Sequence, residues 1–268
     1  MAHKHGIAQG NGKVGHTVAP ARRKIRRVHA FIVRGFLQRV CRMFTQPLPS
    51  ILLFDLDGTL IDTYHLYLES YRRALAPHLG RAPTQAEIIA RRPSLERRFL
   101  AEWIGEEQAN ACHATMREHY TALHGALGEG VYPGVPEMLA ALRSAGYRLG
   151  IVTGKGRSTW EVSRPLLYQT EWEVVITDDD VRTPKPDPEG ILLALRQMGA
   201  EAGDAVYVGD SVTDLDAGRR AGTRVAAALW PKTASGEREE FLARAARFTP
   251  EWLWEQPADL TRSLAGWC

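Results

Sequence analysis

Short apolar runs alternate with longer amphipathic segments along the chain from residue 51 onward. The apolar runs predict strands, and the segments between them, in which apolar residues recur at helical spacing, predict helices. The predicted strands are 51–55, 148–152, 173–176, 205–209 and 224–228, and the predicted helices are about 135–145, 157–168, 187–198, 214–221 and 236–246. This alternation predicts an α/β fold with a doubly wound parallel sheet. Ligands of such sheets bind at the carboxyl ends of the strands.

One stretch interrupts this alternation. Residues 64–130 contain no convincing strand, but they contain several helical patterns, such as the one that runs through Leu66, Ser70 and Ala74. The stretch follows the carboxyl end of the first strand, so an all-helical insert there would cover the ligand-binding edge, exclude water and select substrate. We therefore predict a core of residues 51–63 and 131–268 and an inserted helical cap of residues 64–130.

The composition is that of an ordinary globular protein, with 44% hydrophobic and 24% charged residues in a length of 268. The three cysteines are odd in number, widely spaced and without metal-ligand spacing, which favours a reducing compartment over a disulfide framework or a zinc site. No apolar stretch approaches the ~20 residues that cross a bilayer. We predict a cytoplasmic protein that is either a monomer or a homodimer.

Charge divides the chain sharply. Residues 1–50 carry ten Lys or Arg and no acidic residue, whereas the remainder carries 24 basic and 31 acidic residues. Apolar residues recur at helical spacing within this basic leader, at Ile25, Val28, Phe31, Ile32, Phe36 and Val40. A basic amphipathic helix can lie on an anionic membrane, bind nucleic acid or serve as a targeting sequence. We favour the alternatives, a disordered leader or a true start at Met43, and expect no specific nucleic-acid partner.

Two carboxylates, Asp55 and Asp57, follow the first predicted strand in the run Asp55-Leu56-Asp57-Gly58-Thr59. Residues i and i+2 of an extended chain point the same way, so both side chains are expected to face one site. Two like charges held that close require a cation or a shared proton. The run therefore predicts a bound metal and a carboxylate that acts as an acid, although a strand followed by an Asp-Gly turn has the same sequence for geometric reasons.

Three more motifs each follow a predicted strand and, together with the acid pair, mark one edge of the predicted sheet. They are Thr153-Gly154-Lys155, Pro184-Lys185-Pro186-Asp187-Pro188 and Gly209-Asp210-Ser211-Val212-Thr213-Asp214. The order and placement of the four motifs resemble those of the haloacid dehalogenase superfamily of phosphotransferases over residues 50–265. The resemblance implies a Rossmann-like core with an inserted helical cap, and phosphoryl transfer that depends on Mg2+.

The resemblance assigns Asp55 as the nucleophile that takes the phosphoryl group, which splits one difficult hydrolysis into two displacements through an aspartyl-phosphate. Asp57 would be the general acid for the leaving oxygen and then the base for the attacking water. Thr153 and Gly154 would bind phosphoryl oxygens through the Thr153 hydroxyl and nearby backbone N–H groups. Taken alone, Thr153-Gly154 is also compatible with the start of an ordinary loop.

The same resemblance implies that Lys185 binds the phosphate and offsets its negative charge. Mg2+, which prefers hard oxygen ligands, would be held by a carboxylate oxygen of Asp55, the backbone carbonyl of Asp57 and Asp210. Asp214, one helical turn beyond Asp210, would support the metal site or orient Lys185. Without the resemblance, Lys185 is also compatible with a solvated loop lysine, and the two later aspartates with residues that begin a helix.

Asp57 narrows the reaction, because hydrolytic dehalogenases and phosphonate-cleaving relatives lack an acid two residues after the nucleophile. The chain looks closest to phosphoglycolate phosphatases and small-substrate pyrophosphatases in the stretches 55–62, 185–188 and 208–222. The predicted function is therefore hydrolysis of a small phosphorylated metabolite. The alternatives are a sugar-phosphate mutase of the same superfamily and a non-catalytic binding protein tethered by its basic leader.

Substrate choice is expected to depend on the cap, where four arginines cluster around Pro93. Arg91 and Arg92 are predicted to grip a carboxylate or a second phosphate of the substrate, because forked guanidinium donors suit both groups. The neighbouring Arg97 and Arg98 are equally compatible with a solvated helix face.

Overall fold

The computed structural model describes residues 49–91, 95–128 and 130–265 of the 268-residue chain. The basic leader predicted over residues 1–50, with its alternative start at Met43, lies outside the described residues except for positions 49 and 50. Arg92 of the cap also lies outside them. Among the described helices, none combines the length and the apolar character that a membrane span requires.

Eight strands occur in the part of the chain that the structure describes. They are β1 (Ile51–Phe54), β2 (Ile61–Asp62), β3 (Gly130–Val131), β4 (Arg148–Val152), β5 (Val174–Ile176), β6 (Ala205–Gly209), β7 (Arg224–Ala228) and β8 (Trp252–Trp254). Six of them form a parallel sheet in the order β5-β4-β1-β6-β7-β8. The five predicted strands are confirmed. The structure adds three strands that were not predicted, namely the two-residue strands β2 and β3 and the edge strand β8.

Ten α-helices occur in the same described ranges. They are α1 (Tyr64–Leu79), α2 (Gln85–Ala90), α3 (Glu96–Ile104), α4 (Glu106–Leu127), α5 (Val135–Ser144), α6 (Arg157–Ser163), α7 (Glu189–Gln197), α8 (Val212–Ala221), α9 (Glu237–Ala245) and α10 (Pro257–Ala265). Helices α5 to α9 occupy the five positions predicted from helical periodicity. The C-terminal helix α10, which follows β8, was not predicted.

Alternation along β1 sends its side chains to opposite faces of the sheet. Leu52 and Phe54 pack with residues of α5, α6 and α10, whereas Ile51 and Leu53 pack with residues of α7 and α8. All four side chains are fully buried. Burial of each large apolar side chain contributes about 1.5–3 kcal/mol, so helices dock stably on both faces. The predicted doubly wound α/β fold is confirmed.

The register of the central strands brings several chain ends to one edge. Phe54 of β1 lies beside Ile151 of β4 and Val208 of β6. Asp55 therefore leaves the sheet at the level where β4 and β6 also end. The motifs that follow those two strands begin within two residues of the strand ends, so they start at the same level. The sheet thus assembles a site from segments that are far apart in sequence.

The chain leaves the core through β2 and returns through β3, and these two strands pair antiparallel. Helices α1 to α4 lie between them and have an apolar core of their own, which includes Leu66, Tyr71, Phe99 and Met116. The described residues between these two strands contain no further strand, and β3 begins at Gly130, the last residue of the predicted cap. The insert is joined to the sheet domain by these two chain crossings, and it also packs on α6, where Val162 meets its apolar core and Ser163 Oγ lies 2.7 Å from the Tyr120 hydroxyl.

Gly150 of β4 lies where the core has no room for a side chain. A Cβ there would lie 2.6 Å from Val174 Cγ1 and 2.7 Å from Leu53 Cδ2. We predict that Gly150→Ala lowers the free energy of unfolding by about 1–3 kcal/mol, because overpacking shifts neighbouring strands. Denaturant titration measures the change, and a variant as stable as the wild type would contradict this account of the packing.

Gly125→Ala is the matched control for that experiment. Gly125 is an exposed residue of α4, and an added Cβ would meet nothing within 4 Å. Alanine is the better helix former, so this variant is expected to gain roughly 0.5–1 kcal/mol of stability.

Candidate active site

A cavity of about 520 Å³ opens at the carboxyl edge of the sheet, between the core and the cap. Its core wall includes Asp55, Asp57, Gly58, Thr153, Gly154, Lys155, Lys185 and Asp210. Its cap wall includes Tyr64, Tyr67, Leu68, Tyr71, Ile89, Leu95 and Glu96. The structure therefore brings together all the predicted site residues of the core around one space, with Asp214 buried behind them.

Asp55 is the first residue after β1, and its side chain is tied to a buried ammonium group. Lys185 Nζ donates to Asp55 Oδ1 at 2.7 Å and to Asp214 Oδ1 at 2.6 Å. It also donates to the Tyr207 hydroxyl at 3.1 Å. The three donors of the lysine thus each have an acceptor, and one cation joins two carboxylates.

Asp210 and Asp214 are positioned by the start of α8. Ser211 Oγ accepts from the Asp214 backbone N–H at 3.2 Å, and Asp214 Oδ2 accepts from the Ser211 N–H at 3.0 Å, which forms a capping box. This geometry leaves Asp214 Oδ1 free to face Lys185. Carboxylate oxygens of Asp55, Asp210 and Asp214 all lie within 4.8 Å of one another.

Two glycines permit this close approach. Gly58 has a φ of +80°, and a Cβ there would lie 2.8 Å from Asp210 Oδ1. A Cβ on Gly209 would lie 2.4 Å from the Asp214 Cβ. Both positions therefore need glycine, the first for its conformation as well as for space.

The carboxylate cluster carries more negative charge than its neighbours offset. Burial raises the pKa of Asp55, although Lys185 opposes the rise, and Asp214 and Asp210 add to it. Burial also raises the pKa of Asp210, against the effect of Lys232. Three carboxylates thus face two ammonium groups. The hard oxygen donors at this point fit a divalent cation such as Mg2+, which would favour their ionised forms.

Asp57 faces the same cavity, but its nearest partners are not other acids. Its Oδ1 accepts from Thr63 Oγ1 at 2.5 Å and lies 3.0 Å from Lys155 Nζ. The sequence predicted that Asp55 and Asp57 face one site as two close like charges. The structure adds a lysine against Asp57, because Lys155 in the loop after β4 reaches back across the edge of the sheet.

Thr153 and Gly154 directly follow β4 and lie on the core wall of the cavity. Thr153 Oγ1 accepts from the Lys155 backbone N–H at 3.1 Å, which tightens the turn after the strand. A Cβ on Gly154 would meet nothing within 4 Å, so the backbone there is open to a ligand.

Two lysines at the site were absent from the sequence prediction. The Lys155 side chain is fully buried. Burial lowers its pKa, but Asp57, Tyr120 and Glu96 outweigh that effect and its pKa lies above the ordinary value. Lys232 Nζ donates to Asp210 Oδ2 at 2.6 Å. The sequence did contain one signal that could have identified them: both residues lie in loops that follow parallel strands.

Arg91 does not line the cavity. Its guanidinium donates to the Glu102 carbonyl at 3.2 Å and lies 4.1 Å from the centre of the Trp103 ring. These contacts make Arg91 a packing residue of the cap in this structure, away from the cavity where the sequence predicted it to grip the substrate.

Comparison with known proteins agrees with this geometry. Residues 52–228 match the family model of haloacid dehalogenase-like hydrolases. The pyrophosphatase PpaX of Bacillus velezensis is 35% identical over 213 residues, which cover 79% of this chain and 94% of that protein. A phosphoglycolate phosphatase of Cupriavidus necator is 40% identical over 195 residues, which cover 68% of this chain and 82% of that protein.

Solved structures give the same result. The crystal structure of a Lactobacillus plantarum protein assigned as a phosphoglycolate phosphatase superposes with a TM-score of 0.66 at 25% identity, over 81% of this chain and all of that one. CbbY from Rhodobacter sphaeroides shares the fold, with a TM-score of 0.63 at 22% identity over 80% of this chain and 96% of that one. The resemblance inferred from the motifs is confirmed: the chain belongs to the haloacid dehalogenase-like hydrolases and is an enzyme of the phosphatase type within that family.

Proposed function

We propose that this enzyme hydrolyses a small phosphorylated metabolite in two steps, with an aspartyl-phosphate on Asp55 between them and with Mg2+ as its cofactor. The observation that carries the proposal is the convergence of Asp55, Lys185 and Asp210 on one wall of a cavity that also presents a second acid, Asp57. A nucleophile, a charge-balancing cation and a separate proton donor are the parts that phosphoryl transfer needs.

Asp55 is the nucleophile in this proposal. One of its carboxylate oxygens forms a bond to phosphorus while the bond from phosphorus to the leaving oxygen breaks, and Asp57 gives its proton to that oxygen. Water then attacks phosphorus, Asp57 takes a proton from it, and the Asp55 carboxylate is released with inorganic phosphate. Lys185, whose Nζ lies 2.7 Å from Asp55 Oδ1, offsets charge on the transferred group.

Asp55, Asp210 and the backbone carbonyl of Asp57 would hold the Mg2+ ion. When bound, the ion would neutralise charge on the phosphoryl oxygens and on the carboxylate cluster. Both carboxylate oxygens of Asp214 are already engaged, one by Lys185 and one by Ser211. We therefore assign Asp214 to orienting Lys185. Thr153 and Gly154 are assigned to binding phosphoryl oxygens.

The cavity supports a small substrate. Its volume of about 520 Å³ lies in the range of small-molecule sites. The relatives that are 35% and 40% identical are named as a pyrophosphatase and a phosphoglycolate phosphatase. We therefore favour pyrophosphate and phosphoglycolate as substrates. A cytoplasmic location is part of the proposal and rests on the odd number and wide spacing of the cysteines, which favour a reducing compartment. Turnover of a sugar phosphate to its isomer without phosphate release would identify a mutase instead.

Replacement of the nucleophile gives the first test. We predict that Asp55→Asn lowers Mg2+-dependent release of phosphate from 4-nitrophenyl phosphate by at least about 1,000-fold, because the amide is a poor nucleophile. Asp216→Asn is the matched control, since Asp216 pairs with Arg220 on the outer part of α8. It should retain wild-type activity. Full turnover by Asp55→Asn would contradict the proposed nucleophile.

Lys232 gives a test of the metal site that does not rely on turnover. Its ammonium lies 2.6 Å from Asp210 Oδ2, where it stabilises the carboxylate without a metal and repels an incoming cation. We predict that Lys232→Met binds Mg2+ about tenfold more tightly in calorimetry, because a positive charge next to a ligand is removed. Its melting temperature without metal should fall, and the rise on adding Mg2+ should exceed that of the wild type.

Arg143→Met is the control for that measurement, because it removes a surface charge that pairs with Glu171 on the outside of the core. It should leave Mg2+ affinity unchanged. Equal or weaker Mg2+ binding by Lys232→Met would show that Asp210 is not a metal ligand.

A further inference from the structure

Lys155 makes contacts that the proposed reaction leaves unexplained. Its Nζ lies 3.0 Å from Asp57 Oδ1 and 2.8 Å from each of the hydroxyls of Tyr67 and Tyr120. Tyr67 belongs to α1 and Tyr120 to α4, so both tyrosines come from the cap. A single ammonium from the core therefore joins the second acid of the site to two helices of the cap.

The three partners use all the donors that Lys155 has. Its side chain is 0% exposed, and its ammonium lies 4.3 Å from the ring centre of Tyr67 and 4.6 Å from that of Tyr120. A substrate group could reach this nitrogen only by displacing a partner. Lys185 also has three acceptors, but its side chain is 15% exposed and it contacts the proposed nucleophile.

The contacts continue from Tyr67 back into the core. The Tyr67 hydroxyl accepts from Lys155 and donates to Glu96 Oε1 at 2.7 Å. Glu96, at the start of α3, is 3% exposed and also accepts from Thr159 Oγ1 of the core at 2.6 Å. The Tyr67 hydroxyl therefore links to the core in two ways, directly through Lys155 and indirectly through Glu96 and Thr159. The Lys155 branch ends at Asp57 Oδ1.

Taking the Lys155 ammonium fully out of water is costly and often adds no net stability relative to apolar packing. Its partner Asp57 is 26% exposed and faces the cavity, so the pair lies where the reaction would occur. We propose that Lys155 is a positioning residue that holds the Asp57 carboxyl group by its Oδ1, in line to give its proton to the leaving oxygen, and that the cap tyrosines hold Lys155 in place. Asp57 is then correctly oriented only while the cap contacts the core. This inference rests on the proposed function, in which Asp57 is the acid.

The role makes a chemical prediction about leaving groups. The 4-nitrophenolate anion leaves without much help from an acid, whereas an alkoxide needs a proton as it departs. A general acid contributes roughly 100- to 10,000-fold when the proton is needed. Loss of the positioning residue should therefore slow hydrolysis of an alkyl phosphate far more than that of 4-nitrophenyl phosphate.

Benzyl phosphate and 4-nitrophenyl phosphate are suitable probes, because they are similar in size and differ in leaving group. We compare kcat/KM, which reports the step that expels the leaving group. For Lys155→Met we expect a loss of at least about 100-fold on benzyl phosphate and of less than about tenfold on 4-nitrophenyl phosphate. For benzyl phosphate, the decrease in kcat/KM should come from a lower kcat, with little change in KM.

Tyr120→Phe provides a second variant that keeps the ring and removes one acceptor of Lys155. It should lower kcat/KM for benzyl phosphate relative to kcat/KM for 4-nitrophenyl phosphate, by a smaller factor than Lys155→Met does. This variant keeps the inference testable if Lys155→Met does not fold. Ser70→Ala is the matched control, because Ser70 is a buried cap residue whose hydroxyl donates to the Leu66 carbonyl at 2.7 Å. It should leave the ratio unchanged.

The outcomes separate this inference from the proposed function. Equal losses on both substrates, or losses confined to KM, would overturn the positioning role and indicate packing or substrate binding instead. An unchanged ratio in Lys155→Met would also overturn it. Failure of the wild type to release phosphate from either probe in the presence of Mg2+ would overturn the proposed function itself.

Discussion

The carboxylates that meet at one edge of the sheet are the constraint on which the rest of this molecule depends. Parallel register carries Asp55 and Asp210 to the same level, and α8 adds Asp214, so three acids lie within 4.8 Å. Such a cluster is unfavourable unless cations offset it. Lys185 and Lys232 supply two positive charges, and the glycines at 58 and 209 allow the approach. The negative charge that remains would suit a divalent cation, which is the proposed role of Mg2+ at this edge.

The second acid, Asp57, has different neighbours from the three clustered carboxylates. Asp57 sits opposite the cap and is held by Thr63 and by the buried ammonium of Lys155, whose other partners are cap tyrosines. The two acids of one short motif thus belong to two electrostatic environments. One is organised by the sheet edge and suits nucleophilic attack, and the other depends on contact between cap and core. Separation of this kind lets neighbouring carboxylates take different roles in one reaction.

The sequence predicted the core well, because short apolar strands that end in polar motifs indicate both a parallel sheet and the edge at which its ligands bind. The strand ends and the acids they carry lie where periodicity indicated. Contacts made by side chains from distant segments were not predictable. Lys155 meets Tyr67 across 88 positions, and Tyr67 reads as an ordinary residue of an amphipathic helix. Lys232 depends on the path of the loop after β7, and the packing of Arg91 on Trp103 depends on how two cap helices meet.

The central claim is that Asp55 carries the phosphoryl group between the two steps. Its most direct test is acid quenching of Asp57→Asn during turnover of 4-nitrophenyl phosphate, followed by mass analysis of the peptides. This substrate needs little acid to form the intermediate, whereas hydrolysis of the intermediate needs the base, so the phosphorylated enzyme should accumulate. The account predicts one added phosphoryl group on the peptide that contains Asp55, removed by hydroxylamine as expected for an acyl phosphate. A phosphoryl group on another residue, or none despite continued turnover, would contradict it.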